Sequence, residues 1–344
     1  MHATNNSRTI AVFLINLTLY TIILLSYEGT VFAANGLAGD SLNTHNELTA
    51  KTYSYFINVQ KPSANFYKTD SIFSFRSKKG YFPSLMHNIG EQAAAPFHFT
   101  KKQWIYTGVA AGITTVLIFA DEDIDDWARV QKQKHRWVNK SSPFISEFGS
   151  NYGVYSVVAS GLISAAFKNE KGVQTSLLAT QAMITSGIWT QIIKQLTGRE
   201  RPKASYIYSK VEGGRWHGPL SRFLEESADN RSVSSYDAFP SGHTATAFSI
   251  ATVFATQYSD HKAVPVLFYS AATLVGISRL TEHEHWGSDV FVGALLGYLS
   301  GKQVVKHYNK THQNSLSSFQ YERLNRREIT FTQYGNQLGI SIIW

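Results

Sequence analysis

The chain has 344 residues, of which 43% are hydrophobic and 16% are charged, and its formal net charge is +8 at pH 7. That length is enough for one large hydrophobic core or two modest ones, and a charged share well below the usual value of about a quarter favours a largely apolar body. The absence of cysteine excludes disulfides and thiolate metal sites. No Lys/Arg tract with interleaved aromatic residues accompanies the positive charge, so nucleic acid is not an expected partner, whereas anionic lipids and acidic substrates are.

Residues 1–33 have the pattern of a secretory signal peptide. Arg8 precedes an almost unbroken apolar run over residues 10–25, and small residues follow at Ala33 and Ala34. The apolar run is slightly longer than the core of a usual signal peptide, so an uncleaved N-terminal anchor is the alternative. Both interpretations predict an exported protein, periplasmic or membrane-associated, whose active site lies outside the cytoplasm.

Residues 34–102 are mixed and polar with scattered aromatic side chains, and we interpret them as an N-terminal extension that packs on a helical bundle formed by residues 103–310. Six apolar segments of that bundle are each long enough for three to five helical turns. Most are shorter than the about 20 residues of a membrane-spanning helix, yet their small residues suit packing in lipid, so integral and peripheral membrane association both stay open. The segments are residues 106–120, 153–167, 176–196, 244–258, 263–277 and 289–305.

Two further segments have patterns of their own. Acidic residues alternate from Asp121 to Asp125, but Asp126 and Lys132 stand where a calcium-binding loop needs Gly and Glu, so no calcium site is predicted. The change from acidic to basic residues over 121–134 suits a solvated, amphipathic connector instead. In the C-terminal tail, residues 311–344, apolar residues flank a central Gly335, which predicts a short β-hairpin.

Three cationic side chains stand beside short motifs that suit a bound phosphate. Lys194 precedes Arg201 and Pro202 in the first motif, and Arg279 follows Ser278 in the third. A phosphate carries close to two negative charges, so a pocket for it needs several fixed positive donors. Because Pro202 disfavours helix at the residue before it, we expect Arg201 just past a helix end, free to direct its guanidinium into the pocket.

The remaining motif residues supply backbone donors and catalytic groups. Ser241 and Gly242 open an apolar, helix-like run, and N–H groups at a helix N-terminus favour an anion. Two histidines, His243 and His285, can divide the roles of nucleophile and proton donor, because the histidine pKa lies near neutral pH. Asp289 is four residues after His285, so on a helix its carboxylate could hold one imidazole nitrogen protonated and leave the other free to attack phosphorus.

Together the motifs K-x6-RP, PSGH and SR-x5-H-x3-D, which run from Lys194 to Asp289, resemble the signature of the type 2 phosphatidic acid phosphatase superfamily, which includes bacterial acid phosphatases and vanadium haloperoxidases. The resemblance implies an all-α fold, a six-helix bundle of the acid phosphatase/vanadium haloperoxidase type. It also implies a metal-independent phosphatase. The roles it implies are phosphate binding by Lys194, Arg201, Ser241, Gly242 and Arg279, nucleophilic attack by His285, proton donation by His243 and orientation of His285 by Asp289.

The substrate and one alternative chemistry stay open. Export, an apolar body and a basic surface favour a phosphorylated lipid, either a phosphomonoester or a pyrophosphate, and a small soluble phosphoester is the alternative. No cofactor is expected, although vanadate mimics phosphate and the same pocket could support a vanadium-dependent haloperoxidase.

The alternating Glu and His residues from Glu282 to His285 are a poor metal cluster because adjacent positions rarely converge on one ion. Residues 203–239 form a long loop between two motifs, and we expect it to influence substrate choice.

Overall fold

The computed structural model describes residues 80–219, 233–325, 328–334 and 337–343. The chain divides into two compact units, residues 1–74 and 75–344, and every described residue belongs to the second unit. The predicted signal segment therefore lies outside the described residues. So does most of the predicted N-terminal extension.

The described part is predominantly helical, and the six apolar segments predicted as helices are all helical. Further helices precede and follow the first of them. The α-helices are α1 Tyr81–Ala94, α2 Lys101–Lys134, α3 Arg136–Ser146, α4 Asn151–Ala166, α5 Glu170–Thr197, α6 Gly242–Gln257, α7 Ala263–Thr281 and α8 Gly287–Asn325. Single helical turns lie at Ala95–His98, Glu147–Gly149, Pro202–Ala204 and Val233–Tyr236, and a π-turn lies at Ser205–Ser209. Strands β1 Glu328–Tyr334 and β2 Gln337–Ile343 pair antiparallel with each other.

Helix α6 lies at the centre of the bundle and packs against α5, α7 and α8. A stripe of glycines on α8, spaced four residues apart, lets that helix approach the α6 backbone closely. A Cβ atom at Gly293 or Gly297 would overlap the carbonyl oxygens of Ser241 and Ala245. Small residues at this spacing bring helix backbones together, and here they hold the start of α8 beside the start of α6.

The prediction of a solvated connector at residues 121–134 is wrong. This segment continues helix α2 without a break to Lys134, and the side chains of Asp121 and Asp125 are 0% and 1% exposed. Residues four apart share one face of a helix, and this face turns its carboxylates into the bundle. The reason is a set of buried cationic and histidine partners, described below, that lie far away in the sequence.

Helices α2 and α7 are long and apolar enough to cross a membrane by length and composition. The two helices differ in burial. In the apolar 18-residue stretch of α2, 6% of the residues are buried, whereas in that of α7 33% are buried. Side chains such as Ile105 and Phe119 of α2 are 64% and 85% exposed. The apolar face of α2 is thus directed away from the bundle rather than into its core.

Candidate active site

The first motif brings two cations onto one carboxylate. Helix α5 ends at Gly198, whose left-handed backbone (φ 54°) stops the helix after Lys194. Arg201 follows in extended conformation, as Pro202 predicts. Its Nε and Nη2 lie 2.8 and 2.7 Å from Asp237 Oδ1, and Lys194 Nζ lies 3.4 Å from Asp237 Oδ2. Burial alone would raise the pKa of Asp237, but Lys194 and Arg201 more than offset this and lower it, so Asp237 is an anion.

A second carboxylate joins Arg201 to Arg279. Glu284 Oε2 accepts a hydrogen bond from Arg201 Nη1 and lies 3.9 Å from Arg279 Nη2. Arg279 is 8% exposed and also donates to Ser146 Oγ, which lies at the end of α3. The structure therefore brings all three predicted phosphate-binding cations together, as the motifs suggested.

Sequence reasoning missed both carboxylates, although each lies close to a motif: Asp237 is four residues before Ser241, and Glu284 directly precedes His285. Three cations face two carboxylates, which leaves one formal positive charge in the cluster. A phosphate can thus enter a pocket that is positive overall, but it must compete with carboxylates already bound to the cations. We call Lys194, Arg201, Arg279, Asp237 and Glu284 the anion pocket.

The Pro-Ser-Gly-His motif begins helix α6 as predicted. Ser241 is the N-cap residue and is 0% exposed; its Oγ accepts hydrogen bonds from the Thr244 N–H at 3.4 Å and the Thr244 hydroxyl at 2.9 Å. The Ser241 N–H is directed away from the pocket, because it donates to the Asp289 carbonyl oxygen at 2.9 Å. A contribution from Ser241 to anion binding would therefore come through its hydroxyl hydrogen rather than its backbone amide.

The geometry of His285 fixes the position of its proton. The side chain is 1% exposed, and its Nδ1 lies 2.7 Å from the carbonyl oxygen of Ala238. A carbonyl oxygen can only accept, so Nδ1 must carry the hydrogen and Nε2 holds the free lone pair. Burial, and then Arg201 and Lys194, lower the pKa of His285 well below its usual value, so the ring is neutral. This is the protonation state that a nucleophile requires.

The predicted hydrogen bond between Asp289 and His285 is replaced by the bond to Ala238. The nearest Asp289 oxygen, Oδ2, lies 3.7 Å from His285 Nδ1, because it accepts the Trp286 N–H at 2.8 Å instead. Asp289 Oδ1 accepts from Arg199 Nη1 at 2.7 Å. Asp289 thus fixes the backbone just after His285 and places its carboxyl group behind the ring.

Arg199, which sequence reasoning did not single out, is the centre of a buried ion network behind His285. Its guanidinium is 0% exposed and bridges Asp289 to Asp121, whose Oδ2 lies 2.6 Å from Nη2. The Ser288 hydroxyl and the Gly213 carbonyl complete its contacts, each at 2.6 Å. This network explains why Asp121 is buried: helix α2 contributes a carboxylate to the support of the third motif.

The described start of the long loop after Lys203 packs on this network. The Arg199 guanidinium carbon lies 4.6 Å from the Trp216 ring and 5.4 Å from the Trp286 ring. Gly214, at φ 74°, lies so close to Trp286 that a Cβ would come within 2.9 Å of its Nε1. Residues 220–232 lie outside the described residues, and the influence on substrate choice expected of the whole loop, residues 203–239, stays a prediction.

His243 occupies the first turn of α6 against the turn Glu147–Gly149. A Cβ at Gly149 would come within 2.7 Å of both the Cβ and the carbonyl oxygen of His243, so only glycine fits there. Burial, and then Arg279, Arg201 and Lys194, lower the pKa of His243 to about 3. The histidine therefore faces the cations of the anion pocket and is neutral while no anion offsets them.

The alternating residues Glu282 to His285 point to four different partners. Glu282 pairs with Lys132 at 3.2 Å, and His283 Nδ1 lies 2.9 Å from Asp125 Oδ1. The other two members of the run bind Arg201 and the Ala238 carbonyl, as described above. Their ligand atoms do not converge on one point.

The helical bundle holds an anion pocket beside a neutral, oriented histidine, which are the groups that phosphate chemistry needs. Residues 175–313 match the family model of the PAP2 superfamily, and this segment contains every site residue predicted from the sequence. Over this segment the chain is similar to the PAP2 superfamily.

Several known proteins are similar to the chain. Lipid A 1-phosphatase of Porphyromonas gingivalis is 45% identical over 67 residues, which cover 19% of this chain and 15% of that protein. Lipid phosphate phosphatase 1 of Arabidopsis thaliana is 28% identical over 182 residues, which cover 46% of this chain and 53% of that protein. The chain thus spans about half or less of these relatives' lengths. Among solved structures, Aquifex aeolicus LpxE superposes with a TM-score of 0.38 at 23% identity, covering 53% of this chain and 93% of that one.

Proposed function

We propose that this protein is a membrane-associated, metal-independent phosphatase that removes phosphate from a lipid through a phosphohistidine intermediate. The observation that carries the proposal is the combination of a neutral His285, with its free lone pair on Nε2, and three cations within one pocket. A nucleophile held beside fixed positive charge is the arrangement that phosphoryl transfer needs, since catalysis there is mostly positioning and charge stabilisation.

Substrate binding begins with an exchange of anions. The phosphate oxygens take the place of Glu284 on Arg201 and Arg279, and Lys194 adds a third positive charge. The Ser241 hydroxyl and the N–H groups of the first turn of α6 add donors at the positive end of the helix dipole. In this pocket the side-chain cations supply the charge stabilisation that a metal ion supplies in other phosphatases.

The reaction then has two displacement steps. Nε2 of His285 attacks phosphorus, the bond from phosphorus to the leaving oxygen breaks, and protonated His243 gives that oxygen its proton. His243, now neutral, takes a proton from a water molecule, whose oxygen attacks the phosphohistidine. The P–N bond breaks, its electron pair returns to Nε2, and phosphate leaves. The Ala238 carbonyl keeps Nδ1 protonated throughout, and the Asp289 carboxylate behind the ring stabilises the positive charge that the phosphorylated ring carries.

The low pKa of His243 fits this scheme because bound substrate raises that pKa. Burial, and then the facing cations, lower the pKa to about 3, so the ring cannot act as an acid near neutral pH. A phosphate dianion offsets Arg279, Arg201 and Lys194, and a nearby negative charge favours the protonated ring. The general acid therefore becomes protonated only when a substrate occupies the pocket.

A lipid substrate is supported by the surface of the protein and by its relatives. Helix α2 is long enough to span a membrane, and only 6% of its 18-residue apolar stretch is buried. The core helix of a soluble protein is instead mostly buried. Both curated relatives described above are named for phosphate removal from lipids. Export of the active site, predicted from residues 1–33, is part of this proposal.

The test is a phosphate-release assay on the full chain in detergent micelles containing a chelator. The panel contains phosphatidate, an isoprenoid pyrophosphate, a phosphorylated glycolipid and p-nitrophenyl phosphate. We expect turnover of at least one lipid substrate to exceed that of the soluble ester, and we expect His285→Ala to abolish it. His283→Ala is the matched control, because the neighbouring histidine bonds Asp125 outside the anion pocket. Full activity of a folded His285→Ala protein, or loss of all activity in chelator, would contradict the proposal.

A further inference from the structure

Two histidines and a glutamate from two helices bring their ligand atoms together at a surface remote from the anion pocket. His87 and Glu91 are one turn apart on α1, and His307 lies on α8. One ligand atom from each of the three residues lies within 4.8 Å of the others. Asp289 and His307 are both on α8, eighteen residues apart, which at 1.5 Å per residue is roughly 27 Å along the helix.

The spacing of these atoms is close to that of a tetrahedral metal site. Bonds of about 2.0–2.1 Å from zinc to nitrogen or oxygen place neighbouring ligand atoms about 3.3 Å apart. Here the Glu91 carboxylate lies between the two rings: its Oε1 is 3.1 Å from His87 Nε2, and its other oxygen, Oε2, is 3.9 Å from His307 Nδ1. The two imidazole rings face each other with centroids 4.3 Å apart. All three ligand atoms lie within 4.8 Å of one another, a spacing near that of ligands around one ion.

The surroundings leave a position for a further ligand. The side chains of His87 and Glu91 are 53% and 44% exposed, whereas that of His307 is 15% exposed. A metal held here by three protein ligands would carry water in its fourth position. The site is thus accessible to an ion from solution but is anchored on its inner side by α8.

A polar network beneath the cluster holds the glutamate in place. Gln303 Nε2 donates to Glu91 Oε2 at 2.7 Å and to Asn88 Oδ1 at 3.2 Å. Asn88 is 0% exposed and donates in turn to Gln181 on α5 at 3.0 Å. Hydrogen bonds of this kind, made to a ligand from behind, orient it toward a metal and are part of most protein metal sites. Helix α1 is therefore already docked in the register that brings its two ligands to His307.

We propose that His87, Glu91 and His307 bind a divalent transition-metal ion, with Zn²⁺ as the best match to two imidazoles and one carboxylate, and that the ion joins helix α1 to helix α8. Imidazole nitrogen and carboxylate oxygen are both ordinary zinc ligands. The ion takes no part in phosphate removal, because it lies roughly 27 Å along α8 from Asp289. It acts as a cross-link between the first described helix and the bundle.

The test is calorimetric titration of the full, purified chain in detergent with Zn²⁺ alone, in chelator-free and phosphate-free buffer at pH 7.5. We expect saturable binding with one ion per chain, and we expect Zn²⁺ to raise the melting temperature, since an ion that binds the folded state stabilises it. His87→Ala and His307→Ala each remove a ligand and should weaken binding at least about tenfold, the lower end of what loss of an outer-shell partner costs. His98→Ala is the control, since this exposed histidine follows α1 but lies outside the cluster.

Glu91→Gln keeps the shape of the ligand while removing its charge, and it tests the site even where an alanine variant fails to fold. It too should weaken Zn²⁺ binding, while phosphate release stays unchanged. Either of two results overturns the proposal: no saturable binding by the unaltered chain, or equal Zn²⁺ affinity in the unaltered, Glu91→Gln and His307→Ala proteins.

Discussion

Arg199 Nη1 lies 2.7 Å from Asp289 Oδ1, so a fully buried guanidinium holds in place the carboxylate that lies behind His285, the candidate nucleophile. The same guanidinium binds Asp121 from helix α2. Two carboxylates share this one cation behind His285, opposite the cations of the anion pocket. The Asp289 carboxylate lies where it would stabilise the ring as phosphorylation makes it positive.

The first prediction concerns this buried network. Arg199→Gln leaves Asp121 and Asp289 without their shared cation, and breaking a buried pair costs about 3–5 kcal/mol because an uncompensated charge stays buried. We expect chemical denaturation to show a loss of unfolding free energy of this size, together with a large fall in kcat for phosphate release. Arg215→Gln is the matched control at an exposed arginine. Equal stability of the two variants would show that the network does not hold the site together.

The sequence was sufficient to predict the parts of the site that are local in the chain. Lys194, Arg201 and Arg279 stand in short motifs, and the end of helix α5 before Arg201 follows from Gly198 and Pro202. The six helical segments of the bundle were also predictable, because apolar runs of that length with small residues have few alternatives to helix.

The support of the site was not predictable, because ion pairs across a fold leave no local pattern. Asp121 and Arg199 are 78 residues apart and form their bond only when α2 packs beside the start of α8. A charged residue with no visible partner is interpreted as solvated, which is why the sequence of residues 121–134 predicts a solvated connector. The four-residue spacing of Asp121 and Asp125 was the one available signal of a buried polar face.

The second prediction concerns Glu284, whose carboxylate binds Arg201 and lies near Arg279 in the absence of substrate. Glu284→Gln removes this competing charge, so inorganic phosphate and vanadate should inhibit phosphate release at lower concentration. An ion pair at a partly exposed site is worth up to about 1 kcal/mol, which corresponds to about fivefold in affinity. The inhibition constants of both anions measure the effect.

Glu282→Gln is the control for this change, because Glu282 pairs with Lys132 outside the anion pocket. It should leave both inhibition constants unchanged. If Glu284→Gln weakened anion binding instead, the role of Glu284 would be to hold the arginines in position and not to compete with phosphate.

The third prediction tests the packing that positions His243. Gly149→Ala places a methyl group within 2.7 Å of the His243 backbone and side chain, so the start of α6 or the turn Glu147–Gly149 must move. Overpacking of this kind costs about 1–3 kcal/mol, and we expect reduced thermal stability and a severe loss of phosphate release. Gly112→Ala is the comparison, since a Cβ at this position on α2 meets nothing within 4 Å. It should be neutral or slightly stabilising, because alanine favours helix over glycine.

The last prediction follows from the low pKa of His243. At pH 6 the ring is neutral in the empty pocket, since the pH is above its pKa of about 3. A bound dianion offsets the cations and raises that pKa, so binding must take up protons at this pH. Sulfate is the suitable probe because it stays a dianion from pH 4 upward and releases no proton itself. Calorimetry in two buffers of different ionisation enthalpy measures the number of protons taken up.

Because sulfate binding takes up protons, sulfate affinity should depend on pH. Sulfate affinity should increase as the pH falls from 8 to 5, because protonation of His243 is then easier to achieve in the bound state. His243→Gln should remove most of the proton uptake and flatten this dependence, whereas His283→Gln, which alters a histidine paired with Asp125, should change neither. Proton release on binding, or equal uptake by the two variants, would mean that His243 is not the group that responds to the anion. The general acid would then have to be sought elsewhere.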